Sequence, residues 1–152
     1  MATKIREIMS RDVKTVTPET GVKDAARIMV ENDIGALPVV NQAGQLVGLV
    51  TESDLILQDV KVRFPSYLQL LDGFIYLGSL SRFENTLRRA VAARVADVMS
   101  TDVLTIKGDA GVEDAATMMV ERDISRLPVV NDEGAIEGIV TKHDIVRAIS
   151  RT

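Results

Sequence analysis

Ala36-Leu37-Pro38-Val39-Val40-Asn41, then a turn, then Gly48-Leu49-Val50-Thr51-Glu52-Ser53-Asp54, returns as Arg126-Leu127-Pro128-Val129-Val130-Asn131 and Gly138-Ile139-Val140-Thr141-Lys142-His143-Asp144. Set side by side without a gap, Met9 to Asp54 and Met99 to Asp144 agree at roughly 25 of 46 positions, so the chain is one supersecondary unit written twice. Within the quoted stretch, Leu37 to Val40 is a short, wholly apolar run. Asn41-Gln42-Ala43-Gly44 supplies turn chemistry, and Leu46 to Val50 reads as the return strand of a hairpin. The lack of polar alternation in Leu37 to Val40 predicts a strand buried on both faces. Gly48, inside the return strand, weakens it unless another backbone must come close.

Upstream, Gly21 to Asn32 carries Val22, Ala25, Ala26, Met29 and Val30, the i, i+3, i+4, i+7, i+8 stripe of a helix with one buried face. Thr20 is its expected cap, and Val112, Ala115, Ala116, Met119 and Val120 repeat the stripe. A methionine stripe at this spacing predicts core packing. Val13-Lys14-Thr15-Val16 alternates as a short first strand, ended by Pro18 and Gly21. Ile5, Ile8 and Met9 form a helical lead-in, matched by Val95, Val98 and Met99. A second helix begins at Thr51 or Ser53. The expected fold is therefore α/β in the mixed (α+β) sense. Each repeat runs β-α-β-β-α with a three-stranded mixed sheet, too small to bury itself, so the two pack together. The expected divisions are repeat one over 1–60, a helical insertion over 61–90, and repeat two over 91–152.

The insertion differs in composition. All five aromatic residues, Phe64, Tyr67, Phe74, Tyr76 and Phe83, lie within it, beside a run of leucines too apolar for a solvated linker. Ser81-x-x-Glu84 reads as a capping box opening a long helix to about Met99. The arginines at 82, 88, 89 and 94 decorate that helix as a solvated face.

Composition excludes several classes. The 152 residues include no Cys, hence no disulfide framework, thiol nucleophile or thiolate metal site. A net charge of −4 and pI near 5.0 weigh against a nucleic-acid partner, which calls for a basic face. No apolar run reaches the length of a membrane span, and the start lacks a secretory pattern, so a cytoplasmic protein is expected. There is no G-x-G-x-x-G, no Gly-rich loop ending in Lys-Ser or Lys-Thr, and no Ser nucleophile motif. No enzyme is expected, and no required cofactor.

The pattern Val-x-Thr-Val, Asp-Ala-Ala-x-x-Met, Leu-Pro-Val-Val and Gly-hydrophobic-Val-Thr-x-x-Asp, present in both copies apart from Ile106 in the first motif, resembles a tandem pair of cystathionine-β-synthase (CBS) domains, a Bateman module. The likeness covers nearly the whole chain outside the middle. It implies a pseudo-twofold pair with two clefts, a regulatory role, dimerisation through exposed helix faces, and an adenosyl ligand, with AMP, ADP or ATP ahead of S-adenosylmethionine.

Two readings compete at Thr51-x-x-Asp54 and Thr141-x-x-Asp144. A Thr followed three residues later by an acid is a helix cap, the hydroxyl accepting a backbone N–H while the acid meets the helix dipole. The same helix start also attracts phosphate, and its carboxylate can accept from the two hydroxyls of a ribose. The resemblance adds weight to the second use. Carried over, it implicates Thr15, Ala36, Pro38, Thr51, Ser53 and Asp54 in the first cleft. Thr105, Ser125, Arg126, Pro128, Thr141, His143 and Asp144 fall to the second. Arg126, where repeat one has Ala36, resembles a phosphate-binding residue, and a guanidinium grips phosphate bidentately. His143, the sole histidine, has no partners for a metal site. The competing functional class is a ligand-independent dimerisation or protein-interaction module acting through 64–83, with a second copy or an unidentified protein as partner.

Overall fold

A computed structural model describes residues 3–56 and 93–151. The expectations for 61–90, including the aromatic cluster and the Ser81 capping box, lie outside the described residues. The described elements are α1 (Ile5–Ile8), α2 (Val22–Asn32), β1 (Ala36–Val40), β2 (Leu46–Thr51), α3 (Val95–Val98), β3 (Ile106–Lys107), α4 (Val112–Arg122), β4 (Arg126–Val130), β5 (Ile136–Thr141) and α5 (Lys142–Ser150). Residues 52–56, directly after β2, are also helical.

The hairpins follow from their turn residues. The Asn41 side-chain carbonyl accepts from the Ala43 and Gln45 N–H groups at 3.0 and 2.9 Å, and Asn131 does the same for Glu133 and Ala135. Gly44 and Gly134, with φ of 80° and 83°, hold the left-handed position that a side chain would strain. Register then runs from Ala36↔Thr51 to Val40↔Leu46 and from Arg126↔Thr141 to Val130↔Ile136, each with an irregularity just before its last pair. The first strand is shorter than expected. Only Val16, of Val13 to Val16, pairs with the sheet, in parallel with Val39, while Val13 and Lys14 turn to line a cleft. In the second repeat β3 adds parallel to β4, giving the order β3-β4-β5.

The helix readings need three corrections. Ala25, Met29, Ala115 and Met119 are buried, but Val30 and Val120 are each 80% exposed, because a residue one step beyond the anchoring Met turns about 100° away from the core. Thr20 does not cap α2; Gly21 occupies that position. The Thr20 hydroxyl instead accepts from the Thr17 N–H at 3.0 Å within the preceding turn. Nor does one helix run through to Met99. Arg94 is extended and bridges Gly21, and its N–H is accepted by Asp97 at 3.0 Å, so α3 starts afresh.

The four-residue lead-ins change places. Ile5 and Met9 belong to the core of Ile106, Ala115, Met119, Leu127, Val129, Val140 and Ile145, whereas Val95 joins Val16, Ala25, Met29, Leu37, Val39 and Val50. One turn of helix has no stability of its own, so partners across the repeat fix it. The N–H groups of Ile5 and Arg6 donate to Ala110 and Gly108 at 2.9 Å; those of Val95 and Ala96 donate to Thr20 and Pro18 at 2.8 and 2.9 Å. Each lead-in ends by pairing with a return strand, Ser10 with Ile139 and Ser100 with Leu49. Here Gly48 and Gly138 find their reason. A Cβ at Gly138 would sit 2.6 Å from the Met9 sulfur and 2.7 Å from the Ser10 carbonyl oxygen, and at Gly48 it would meet Met99 and Ser100 in the same way. The Met can swing aside; the backbone carbonyl cannot without parting the pair. Gly138→Ala should therefore lose about 1–2 kcal/mol of stability through overpacking, read as a lowered urea midpoint. An unshifted midpoint would mean that the lead-in moves freely.

Candidate functional site

The exchange of lead-ins brings the two repeats against each other around a cleft of about 350 Å³. Its walls come from both copies. Repeat one contributes Ser10, Asp12, Val13 and Lys14 from the segment after α1, the Asn32–Gly35 end of α2, and Ala36 and Pro38 from β1; repeat two contributes Arg126, Ile139 and Thr141. Pairing places Arg126 directly across from Thr141, so a guanidinium and the hydroxyl at a helix start open onto the same space. Gly35 is the close-approach position. A Cβ there would lie 3.3 Å from Arg126 Nη2 and 2.6 Å from Glu52 Oε1, so the missing side chain lets the arginine reach across the repeat boundary. Among the described residues Arg126 makes no ion pair, since the ion pairs recorded there involve other groups.

The expected site residues divide into three sets. Ala36, Pro38, Arg126 and Thr141 line this cleft together, which regroups them: the first two were expected in one cleft and the last two in the other. The regrouping follows from the lead-in exchange, which makes each cleft wall a product of both repeats. A second set serves as helix caps. Asp54 Oδ2 accepts from the Thr51 N–H at 2.8 Å and from its hydroxyl at 3.1 Å, and the Asp54 N–H donates to Thr51 Oγ1 at 3.3 Å. Asp144, 9% exposed, accepts from the Thr141 N–H at 2.9 Å and donates its own N–H to Thr141 Oγ1 at 3.2 Å. Its other oxygen faces Arg147 at 3.5 Å. Thr141 is thus both cap and cleft wall. The third set lies outside the lining of this cleft: Thr15 and Thr105 are half-buried, Ser53, Ser125 and His143 are exposed, and Pro128 is buried.

Lys14, Gly35 and Ile139 line the cleft without having been expected there. For Lys14 a signal exists. The ninety-residue offset sets it against Leu104 between flanks that are identical in the two copies, Asp12-Val13 and Thr15 against Asp102-Val103 and Thr105. Among the described residues there is no group of three or more His, Asp or Glu arranged to hold a metal ion, and no helix long and apolar enough to cross a membrane.

Two hairpin-and-helix units related by internal repetition, sharing exchanged lead-ins and a mixed-charge cleft, define a paired-repeat ligand-cleft module. The chain belongs to the CBS domain family: the family profile matches residues 5–60 and 95–151. A protein of Methanocaldococcus jannaschii, MJ1426, is 35% identical over 152 residues, covering 95% of this chain and 90% of its own length. MJ1225 of the same organism is 33% identical, with this chain spanning 46% of it. Among solved structures, CBSX2 in complex with AMP superposes with a TM-score of 0.75 at 27% identity, covering 97% of this chain and 96% of that one. The CBS domain pair of MJ0100 from the complex with 5'-methylthioadenosine and S-adenosyl-L-methionine gives 0.71 at 25% identity, covering 99% and 98%.

Proposed function

We propose that this chain is a regulatory sensor of adenosyl compounds, with adenine nucleotides preferred over S-adenosylmethionine and no catalysis of its own. The observation that carries the reading is the composite cleft, in which Arg126 and the Thr141 helix start converge beside the apolar walls of Ala36, Pro38 and Ile139. A helix start and a guanidinium suit phosphate. Small apolar walls suit a flat base, and the Asp144 carboxylate, with lone pairs beyond those its cap uses, suits a ribose hydroxyl. The complexes of CBSX2 with AMP and of MJ0100 with two adenosyl compounds support the same ligand class.

The test is calorimetric titration of the full chain with AMP, ATP, adenosine and S-adenosylmethionine. AMP should bind more tightly than adenosine, and Arg126→Ala should weaken AMP by about tenfold, the worth of a charge-assisted contact. Absence of heat with all four compounds would remove the sensing role.

A second copy of the chain is the partner that this reading implies. Val30, Ile56, Val120 and Val146, on helix faces, are 61–80% exposed, and Val30 and Ile56 line a groove of about 380 Å³ with Ala26, Ile34 and Leu55, rimmed by the carboxylates of Asp33 and Glu52. Such apolar faces are commonly covered by association.

A further inference from the structure

We propose that Lys14 is a second phosphate-binding residue of the composite cleft, acting from repeat one while Arg126 acts from repeat two, and that the pair selects a dianionic phosphate monoester. The proposal rests on the adenosyl reading above and adds to it a residue and a charge state. Lys14 and Arg126 reach the same cleft from different copies of the repeat. Neither is committed elsewhere among the described residues. The ammonium of Lys14 has one carboxylate near it, Asp12 at 3.8 Å, with the two side chains 47% and 92% exposed. That is too long for a hydrogen bond and too wet to be a strong ion pair.

Asp12 and Asp33 also line the cleft, and Glu52 stands beside Arg126 at Gly35, so net charge does not make the site attractive to anions. Selectivity must come from placement, one cation from each repeat opening onto the same cleft. The repeat supplies an internal comparison. Where Lys14 stands in one copy, Leu104 stands in the other, between matching Asp-Val and Thr neighbours. The local backbone pattern therefore does not call for a lysine at this position: Leu104 packs partly against the core of its repeat, whereas Lys14 is exposed at the cleft.

The experiment titrates the full chain and its Lys14→Leu variant with AMP and with adenosine. Position 14 is exposed, so the fold should be retained, and a thermal melt of both proteins checks this. AMP affinity should fall about threefold to tenfold in the variant, as expected for a partly exposed cation facing a double charge, while adenosine binds both proteins alike. The difference should shrink below about pH 6, where a phosphate monoester loses its second charge. Unchanged AMP affinity, or an equal fall for AMP and adenosine, would overturn the role of Lys14 and leave the adenosyl reading standing. Failure of the unaltered chain to bind either compound would overturn both.

Discussion

Ile5→Ala should lower stability by about 3–4 kcal/mol, the range for truncating a fully buried isoleucine, and the loss should appear first in the repeat to which Ile5 does not belong in sequence. Ile5 has no solvent exposure and lies with Ala115, Met119, Leu127, Val129 and Val140. Its own helix has only four residues, so the surrounding backbone bonds to Ala110 and Gly108 limit how far the lead-in can relax into the space left behind. A cavity that cannot collapse sits at the costly end of the series. Hydrogen exchange tells the two repeats apart. The amides of Val129 and Val140 should lose protection before those of Val39 and Val50, since local openings report nearby packing. Protection lost first around Val39 would contradict the exchange of lead-ins. Val95→Ala provides the reciprocal experiment, because Val95 is buried in the core that holds Val39 and Val50.

The same exchange marks where the sequence stops being informative. The hairpins were legible because their determinants are local: an Asn whose side chain bonds the second and fourth residues after it, a Gly in the left-handed region, and a run of branched apolar residues before them. The spacing of Ile5, Ile8 and Met9 was legible as a helix for the same reason. Its docking partner was not, because an apolar face carries no address; two nearly identical cores offer the same pocket, and only the three-dimensional path of the chain decides between them. The cleft inherits that limit. Arg126 stands out as a departure from the repeat at Ala36, but its companions Lys14 and Gly35 come from the other copy and become neighbours only once the repeats are paired. Val30 and Val120 show the converse failure. Their place in an apolar stripe predicts burial, yet α2 is anchored through Ala25 and Met29 and α4 through Ala115 and Met119, leaving the valines outward.

Asp144→Ala should cost about 2–3 kcal/mol of stability, and Asp144→Asn should recover most of it. The carboxylate is nearly buried and accepts the Thr141 N–H at 2.9 Å. Truncation strands that donor at a helix start, where backbone N–H groups have no intrahelical partner. It also removes an acid from the positive end of α5 and leaves Arg147 without the carboxylate it faces at 3.5 Å, a loss worth little because the Arg147 side chain is 47% exposed. The large term is the part-buried Thr141 N–H left without its acceptor, about 1–3 kcal/mol, joined by the lost cap. Asparagine keeps a carbonyl oxygen in the same place and so keeps that bond. Urea unfolding of the two variants checks the stability half, and a wild-type midpoint in the alanine variant would show that the cap contributes nothing. AMP titration of the asparagine variant then isolates the other use of this residue, since its cap is intact while its charge is gone. A carboxylate accepting from ribose hydroxyls is a stronger acceptor than an amide, so affinity should fall several-fold with stability nearly preserved. Full affinity in the asparagine variant would assign Asp144 to the cap alone and leave nucleotide recognition to Arg126, Thr141 and the apolar walls.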